Sequence, residues 1–315
     1  MSATVAARRH WGRVVHCYSA VDRFFPACGL FDLTEGIYEG DPGLADEPAQ
    51  IRQHDYLLDQ ARCVAGSRLL DLGCGYGTLL ERARTRGAEG VGITISREQV
   101  RHCRRRALDV RLLDYNDMPP EWNETFDAVI ANGAIEHFVQ PLDAATHAAD
   151  AIYRALFLTV HRLLRPDSPS RRFVTTTIHL ARGPEDPREV LRPPRLLPKN
   201  SDAYHWAILE RGWGGYYPEI GQLKRCAAGQ FELIAEVDGT EDYRLTSESW
   251  LRRMREALHS RRGVVMLLRS LPVAVRAPRQ FAALLRALLS SESWNWQFRS
   301  PDPPARLLRQ TWAAT

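Results

Sequence analysis

The sequence predicts an α/β protein built on a mostly parallel, doubly wound, seven-stranded sheet. Three observations lead to this prediction. Short apolar runs alternate with helical stretches from residue 48 to 178, a glycine-rich turn directly follows the first apolar run, and an alternating run appears at 231–237. Strands that alternate with helices usually form a parallel sheet with helices on both faces. Ligands of such sheets bind at the carboxyl ends of the strands, so a site is expected there.

The apolar runs place the strands, and helical periodicity places the helices. The expected strands are residues 68–72, 90–93, 110–113, 126–131, 172–178 and 231–237, with a strand-like run at 294–298. The expected helices are 48–64, 78–86, 96–107, 143–164 and 250–259, one that ends near residue 228, and one over 281–288.

The glycine-rich turn after the first strand is the feature around which the predicted site is organised. Gly73, Gly75 and Gly77 alternate, and Asp71 lies two residues before the first of them. Glycine suits a backbone that turns sharply and approaches a ligand closely. A dinucleotide-binding turn would have glycine at position 78, where this chain has Thr78. The acidic Asp71 favours a cationic ligand instead, such as the methionine half of S-adenosylmethionine (SAM), so the pattern indicates a Rossmann-like SAM site.

Composition excludes several other kinds of protein. All but two of the 42 basic residues are arginine, which fits codon bias, and no nucleic-acid partner is inferred from the net charge of +4. The six cysteines form no Cys-x-x-Cys pair, so we expect no metal, no disulfide framework and a cytoplasmic location. No apolar run is long enough to span a bilayer. Basic residues on the C-terminal helices leave open a peripheral membrane contact or an ordinary solvated face.

Several motifs between about residue 16 and residue 300 resemble, in the same order, the cyclopropane-fatty-acid synthase family of SAM-dependent methyltransferases. The second strand ends without the acid that usually holds a ribose. The similar segments are Cys-Tyr with Phe-Phe at 17–25, Gly-Ile-Thr-Ile-Ser-x-x-Gln at 92–99, Asp-Tyr-Asn-Asp at 114–117, Glu-His-Phe at 136–138, Gly-Gly-Tyr-Tyr-Pro at 214–218 and Asp-Tyr-Arg-Leu-Thr-Ser-Glu-Ser-Trp at 242–250.

The resemblance implies which residues bind SAM. Residues after the first strand would enclose the methionine part, those after the second would meet the ribose, and those after the third and fourth would flank the adenine. In chain order the implied residues are Tyr18, Tyr38, Asp71, Gly73, Cys74, Gly75, Thr94, Ile95, Gln99, Asp114, Tyr115 and Asn132. Structural alternatives remain: Gln99 could complete a helix capping box with Ser96, and Tyr115 and Tyr18 could be packed core aromatics.

Glu136 is the expected catalytic residue. Methylation of a carbon-carbon double bond leaves a carbocation, which needs a nearby anion and a group that removes a proton, and a carboxylate can do both. Tyr243 would orient Glu136, and His137 is a further candidate base. The alternatives are that Glu136 is an acid at a helix N-terminus or an ion-pair partner, and that His137 and Tyr243 only pack.

The chain departs from the family at two positions. Cyclopropane-forming members resemble one another in holding bicarbonate with a cysteine and a histidine, whereas the matching stretches here are Thr-Glu-Gly-Ile-Tyr at 34–38 and Thr-Thr-Ile at 176–178. The sequence therefore predicts methyl transfer to carbon of a hydrophobic small molecule or lipid acyl chain, without bicarbonate-assisted ring closure. An N-methyltransferase for an amine natural product, a SAM-binding scaffold without turnover and a nicotinamide-dependent oxidoreductase are the alternatives, and the oligomeric state is left open.

Five segments are expected along the chain. Residues 1–48 would close over the cofactor, 49–180 would form the SAM-binding core, and 181–213 would be a lid-like insertion rich in proline and arginine. Residues 214–300 would complete the sheet and add a helical cap around the acceptor pocket. The tail at 301–315 receives no assignment.

Overall fold

A single sheet organises the chain. The structure, a computed structural model, describes residues 14–15, 17–18, 21–22, 25–26, 28–279, 281–282, 292–299 and 301–315. The strands in these residues are β1 (Arg68–Leu72), β2 (Glu89–Thr94), β3 (Asp109–Leu112), β4 (Ala128–Asn132), β5 (Arg172–Leu180), β6 (Phe231–Asp238) and β7 (Ala305–Ala314). Their order across the sheet is β3-β2-β1-β4-β5-β7-β6. Neighbours from β3 to β5 are parallel, and β7 is antiparallel to β5 and β6.

Helices cover both faces of the sheet. They are α1 (Asp46–Gln60), α2 (Thr78–Thr85), α3 (Arg97–Arg105), α4 (Pro141–Ala145), α5 (Ala149–Leu163), α6 (Asp202–Trp213), α7 (Gln222–Ala227), α8 (Thr240–Leu258), α9 (Arg261–Arg276) and α10 (Glu292–Trp296). Apolar residues of α1 and α2 pack on one face, and those of α5 and α7 pack on the other. The described residues between 14 and 26 in the N-terminal segment are also helical.

The prediction of a doubly wound, mostly parallel, seven-stranded sheet is confirmed, with three corrections to its elements. The single helix expected over 143–164 is two helices, because His147 adopts a left-handed conformation with φ of 59° between α4 and α5. The strand expected at 294–298 is wrong, since this stretch lies in the short helix α10 and the turn after it. The insertion at 181–213 contains α6. Of the helix expected over 281–288, all but the first two residues lie outside the described part.

The seventh strand, β7, comes from the tail to which the sequence assigned no element. It lies between β5 and β6 and is buried on both faces from residue 307 to 312. Three of these buried residues are Arg309, Gln310 and Thr311. A central strand usually reads as an apolar run, and the polar residues interrupt that pattern.

Among the residues that the structure describes, no helix is both long enough and apolar enough to cross a lipid bilayer.

Candidate active site

A cavity of about 680 Å³ opens at the carboxyl ends of β1, β2, β4 and β5, where ligands of parallel sheets bind. Most of the predicted site residues line it: Tyr18, Asp71, Gly73, Cys74, Gly75, Thr94, Ile95, Gln99, Asp114, Tyr115, Asn132, Glu136, His137 and Tyr243. Tyr38 does not. Its hydroxyl donates to Asp46 Oδ1 at 3.1 Å and its backbone N–H donates to Asp242, so its position does not fit a cofactor contact.

We call the part of the cavity around Asp71 and the turn after β1 the glycine end. Gly73 has a φ of 84°, and a Cβ on it would lie 2.8 Å from the Cβ of Ala134, so both conformation and space require glycine. Gly73 and Cys74 donate their backbone N–H groups to Ile93 O, each at 3.0 Å, which ties the turn to β2. A Cβ on Gly75 would meet no atom within 4 Å. The turn therefore leaves open space beside its backbone.

Asp71 is a buried acid without a protein counter-ion. Its exposed fraction is 2%, and no described residue forms an ion pair with it. Burial, with a smaller contribution from Asp32, raises its pKa to about 7. A cation beside a buried carboxyl favours the ionised form. The glycine end thus suits a ligand with an ammonium or sulfonium group, as SAM has, and the residues present fit that cofactor.

The side chain of Gln99 has a different role from the one a capping box would give it. Ser96 Oγ does accept from the backbone N–H of Gln99 at 3.2 Å. The Gln99 amide, however, accepts from Thr94 Oγ1 at 2.5 Å and donates to Asp22 Oδ1 at 3.0 Å. Asp22 also accepts from the hydroxyls of Ser96 and Tyr76. These bonds fix the predicted ribose side of the cavity through an N-terminal residue that no local sequence signal marks.

Tyr115 forms a flat wall on the predicted adenine side. Its ring stacks on Phe138 with centroids 3.9 Å apart and an interplanar angle of 17°. The Asp114 carboxylate accepts from the backbone N–H of Asn116 at 2.6 Å and so caps the 3-10 turn at 115–117. Asn132 donates to Thr34 Oγ1 at 3.1 Å.

Glu136 lies in a short 3-10 turn directly after β4. Because β4 ends at Asn132 while β5 continues to Leu180, the backbone N–H of Ile178 has no partner on β4 and donates to Glu136 Oε1 at 2.8 Å. Glu136 Oε2 is buried and accepts no hydrogen bond from any described residue. Burial raises the pKa of Glu136 to about 8. No ion pair of Glu136 occurs in the described part of the chain, which disfavours the ion-pair alternative.

His137 is a neutral positioning group in this structure. Its Nδ1 lies 3.3 Å from Gly214 O, and its Nε2 lies 2.9 Å from the hydroxyl of Tyr18. Because a carbonyl only accepts, Nδ1 carries the proton and Nε2 accepts from Tyr18. Burial lowers the pKa of His137 to about 4. The imidazole is therefore a weak base that anchors the Tyr18 side chain at the cavity wall.

The Gly-Gly motif at 214–218 packs directly against the Glu136 turn. Gly215 has a φ of 85°, and a Cβ on it would overlap the carbonyl oxygen of Glu136. Only glycine allows this approach. The contact between Gly215 and the Glu136 carbonyl therefore helps to fix the position of the Glu136 backbone beside the cavity.

We call the opposite part of the cavity, lined by Trp213, Tyr217, Tyr243, Trp250 and Trp294, the aromatic end. Trp213 and Trp294 have ring centroids 4.4 Å apart, and Tyr243 lies edge-on to Trp250 and Trp294. Tyr243 makes no hydrogen bond to Glu136 among the described residues, so the expected orienting bond is not present. The tryptophans come from α6, α8 and α10, which are remote in sequence.

Glu35 and Arg309 are two further site residues that sequence reasoning missed. Glu35 lines the cavity and has an exposed fraction of 4%, and Arg309, on β7, has one of 2%. The Arg309 guanidinium donates to Gln53, Asp242 and the carbonyl of Gly36. Glu35 belongs to the Thr-Glu-Gly-Ile-Tyr stretch at 34–38, which differs from the family motif by its missing cysteine. No motif in residues 301–315 indicates that Arg309 lies near the site.

Comparisons with known proteins show which family this chain resembles. The family model for mycolic acid cyclopropane synthetase matches residues 9–266. Cyclopropane mycolic acid synthase 1 of Mycobacterium tuberculosis is 26% identical over 83% of this chain and 86% of that protein. A probable fatty acid methyltransferase of Pseudomonas putida is 37% identical, but the match covers 32% of this chain and 27% of that protein.

Solved structures show the same fold. A mycolic acid cyclopropane synthase structure with SAH and CTAB superposes with a TM-score of 0.73 at 23% identity, covering 97% of this chain and 98% of that one. The matched model spans most of the chain, including the glycine turn and Glu136. The chain belongs to the mycolic acid cyclopropane synthetase family, and it is a SAM-dependent methyltransferase.

Proposed function

We propose that this enzyme methylates an unsaturated carbon of a lipid acyl chain. The observation that carries the proposal is Glu136, a buried carboxyl with one oxygen that accepts no hydrogen bond from the described residues, in a cavity with aromatic walls at one end. SAM supplies the methyl group, and an alkene that accepts it becomes a carbocation. A carboxylate beside that carbon stabilises the positive charge, and the rings of the aromatic end add cation-π stabilisation.

The chain's own residues define the rest of the reaction. Asp71 and the glycine turn would bind the donor, with Thr94, Gln99 and Tyr115 along its nucleoside. Tyr18, held by His137, would close the N-terminal segment over the cavity and exclude water, which shields the cation from hydroxylation.

The relatives support a lipid acceptor. Two of the similar proteins are named as a mycolic acid synthase and a fatty acid methyltransferase. The aromatic end offers apolar walls of the kind that bind a hydrocarbon chain.

Ring closure assisted by bicarbonate does not fit these residues. A Cβ on Gly36, where the family motif has cysteine, would lie 2.6 Å from the Cβ of Ala49. Thr176, where the motif has histidine, donates its hydroxyl to Asn132. We infer that the product keeps a methyl branch and that depletion of bicarbonate leaves the rate unchanged.

An amine acceptor is the second candidate, and the same aromatic end favours it. Tryptophan and tyrosine rings around a carboxyl bind substituted ammonium groups by cation-π attraction. An amine natural product would need only positioning and loss of a proton.

The test uses SAM with a labelled methyl group and two acceptors, vesicles of dioleoyl phosphatidylglycerol and a mixture of aromatic amines. Label in the fatty acids after saponification supports the proposal, and mass spectrometry locates the branch. Label only in the amines selects the second candidate. Binding of SAM without label in either pool would contradict both in favour of a scaffold.

We also propose that α9 contacts an anionic membrane surface. Four exposed apolar residues lie on one face at helical spacing: Val264, Leu268, Leu271 and Val275. The exposed Arg261 and Arg276 stand at the two ends of the helix. An apolar face with basic ends complements the acyl and phosphate layers of a bilayer. This surface would bring the enzyme to its lipid acceptor.

A further inference from the structure

The cavity contains a second buried carboxyl, Glu35, that the reaction described above does not use. It belongs to the extended stretch before α1, and Gln53 Nε2 donates to its Oε1 at 2.5 Å. The hydroxyl of Thr176 lies between Glu35 and Asn132 and can donate to either of them. Gln53 of α1 and Thr176 of β5 thus hold the Glu35 side chain against the cavity wall.

Glu35 and Glu136 are anchored on the same strand. Thr176 contacts Glu35, and the backbone of Ile178 binds Glu136. Two residues of extended chain span about 6.6 Å. The charge of Glu35 also contributes to the raised pKa of Glu136. The two carboxyl groups therefore line the same cavity, close enough for the charge of one to act on the other.

The two carboxyl groups differ in their counter-ions. Arg309 Nε lies 4.0 Å from Glu35 Oε1, and the same guanidinium is fixed by Gln53 at 2.7 Å and Asp242 at 2.9 Å. Glu136 has no such cation among the described residues. A buried cation lowers the cost of ionising the acid beside it. Arg309 accordingly offsets part of the cost of burying Glu35, so that Glu35 ionises at a lower pH than Glu136.

We propose that Glu35 is the catalytic base that removes the proton from the methylated carbocation, while Glu136 faces the positive charge. This assignment rests on the proposed function. In the first step the π electrons of the acceptor form the new C–C bond, and the electron pair of the broken S–C bond stays on sulfur. In the second step a C–H bond next to the cationic carbon breaks. Its electron pair forms a new C=C bond, and the proton moves to a Glu35 oxygen.

The balance needs no further reactant. One proton is released per methyl group transferred, and it leaves Glu35 for water after the product has left the cavity. Arg309 is a positioning residue, because it contacts Glu35 and not the cavity. Burial and the charge of Arg309 act in opposite directions on Glu35, and the resulting pKa is about 7. The group can therefore both accept and release a proton near neutral pH.

The experiment compares Glu35→Gln with Glu89→Gln, an exposed glutamate at the start of β2, in the full chain. With labelled SAM and dioleoyl phosphatidylglycerol vesicles, we expect Glu35→Gln to lower product formation about 100-fold or more. SAM affinity by calorimetry should change less than about threefold, because Glu35 does not contact the glycine end. Glu35→Ala should regain part of the rate when formate is added.

A non-kinetic readout accompanies the rates. Difference infrared spectra between about pH 6 and about pH 8 should show one carboxyl fewer titrating in Glu35→Gln than in Glu89→Gln. A folded Glu35→Gln with the wild-type rate would overturn the assignment. If the wild type labels no lipid, the proposed function fails instead, so the two failures are distinguishable.

The wild-type protein decides the question if the variants do not fold. At saturating SAM, Asp71 is paired with its ligand and drops out of the pH profile. The groups that face Glu35 are then Arg309, Asp242, Thr176, Gln53 and Glu136. Because Glu136 also ionises, with a pKa of about 8, product formation should rise in two steps as pH increases, at about 7 for Glu35 and about 8 for Glu136. A single step at about 8 would exclude Glu35 as the base. A rate that is flat across this range would exclude Glu35 as the base.

Discussion

The two ends of the cavity differ in which positive charge balances their buried carboxyl groups. At the glycine end, none of the described residues supplies a cation to the buried Asp71, so the charge of the ligand would be its partner. Glu35 and Glu136 lie near Tyr243 of the aromatic end. Arg309 is 4.0 Å from Glu35, while one oxygen of Glu136 accepts no hydrogen bond from the described residues. An isolated buried acid is stable only when it is protonated or when a cation binds. We infer that Asp71 is balanced by a permanent positive charge on the bound SAM, whereas Glu136 is balanced by the transient positive charge on the reacting carbon.

Glu136→Gln tests the transient charge and should have the largest effect. The neutral amide keeps the shape but cannot stabilise a cation, so we expect turnover to fall about 1,000-fold, or about 4 kcal/mol. Label transfer from SAM to lipid measures the rate, with Glu89→Gln as the control. Stability should not decrease, because Glu136 has no counter-ion to lose. A fall of less than tenfold would contradict the contrast between the two ends.

Arg309→Met tests the permanent counter-ion of the aromatic end. It leaves Glu35 and Asp242 buried without their shared cation, and removal of one partner of a buried ion pair costs about 3 kcal/mol or more. Urea unfolding should show this loss in the free energy of unfolding. Arg306→Met, on the same strand with its side chain partly exposed beside Asp238, is the matched control and should cost less than about 1 kcal/mol. An equal loss in the free energy of unfolding in both variants would show that Arg309 does not act as a buried counter-ion of Glu35.

Asp71→Asn tests the glycine end. Loss of a charged partner should weaken SAM binding by about 2 kcal/mol, or about 30-fold. The wild-type affinity should also depend on pH. Because the free-state pKa of Asp71 is about 7, one proton must leave for each SAM bound below that pH, and none above it. The dissociation constant should therefore rise about tenfold per unit as the pH falls below about 7.

Calorimetry in buffers of different ionisation enthalpy measures both quantities for SAM and S-adenosylhomocysteine. Asp71→Asn should abolish this proton release. A wild-type affinity that stays constant from about pH 6 to about pH 8 would show that Asp71 does not meet the ligand's charge.

The two ends also differ in how far the sequence predicts them. The glycine end and the predicted ribose and adenine sides beside it are built largely from residues 71–132, where strand ends, glycines and helix caps follow one another along the chain. Each of these has a local physical cause, such as the positive φ of Gly73. Asp22 is the exception, since it reaches Gln99 from 77 residues away.

The aromatic end is assembled from distant segments, and the sequence predicts it poorly. Trp294 lies in a helix where an aromatic run indicated a strand, and Arg309 lies in a strand where no pattern was visible. Both errors have the same cause. Local periodicity reports which face of an element is apolar. Here burial is decided by partners far along the chain, such as Trp213 for Trp294 and Gln53 for Arg309. The tail is nevertheless the strand that joins β5 to β6.

The smallest expected effect concerns the exposed apolar face of α9 and its binding to vesicles. Leu268→Asp on α9 places a charge on the exposed apolar face, so binding to dioleoyl phosphatidylglycerol vesicles should weaken by about 1 to 2 kcal/mol. Leu158→Asp, at a site of similar exposure on α5, is the control and should bind as the wild type does. Sedimentation with vesicles measures the binding, and added salt should weaken it because arginines flank the face. If Leu268→Asp binds vesicles normally but loses stability, α9 packs inward and the acceptor reaches the aromatic end by another route.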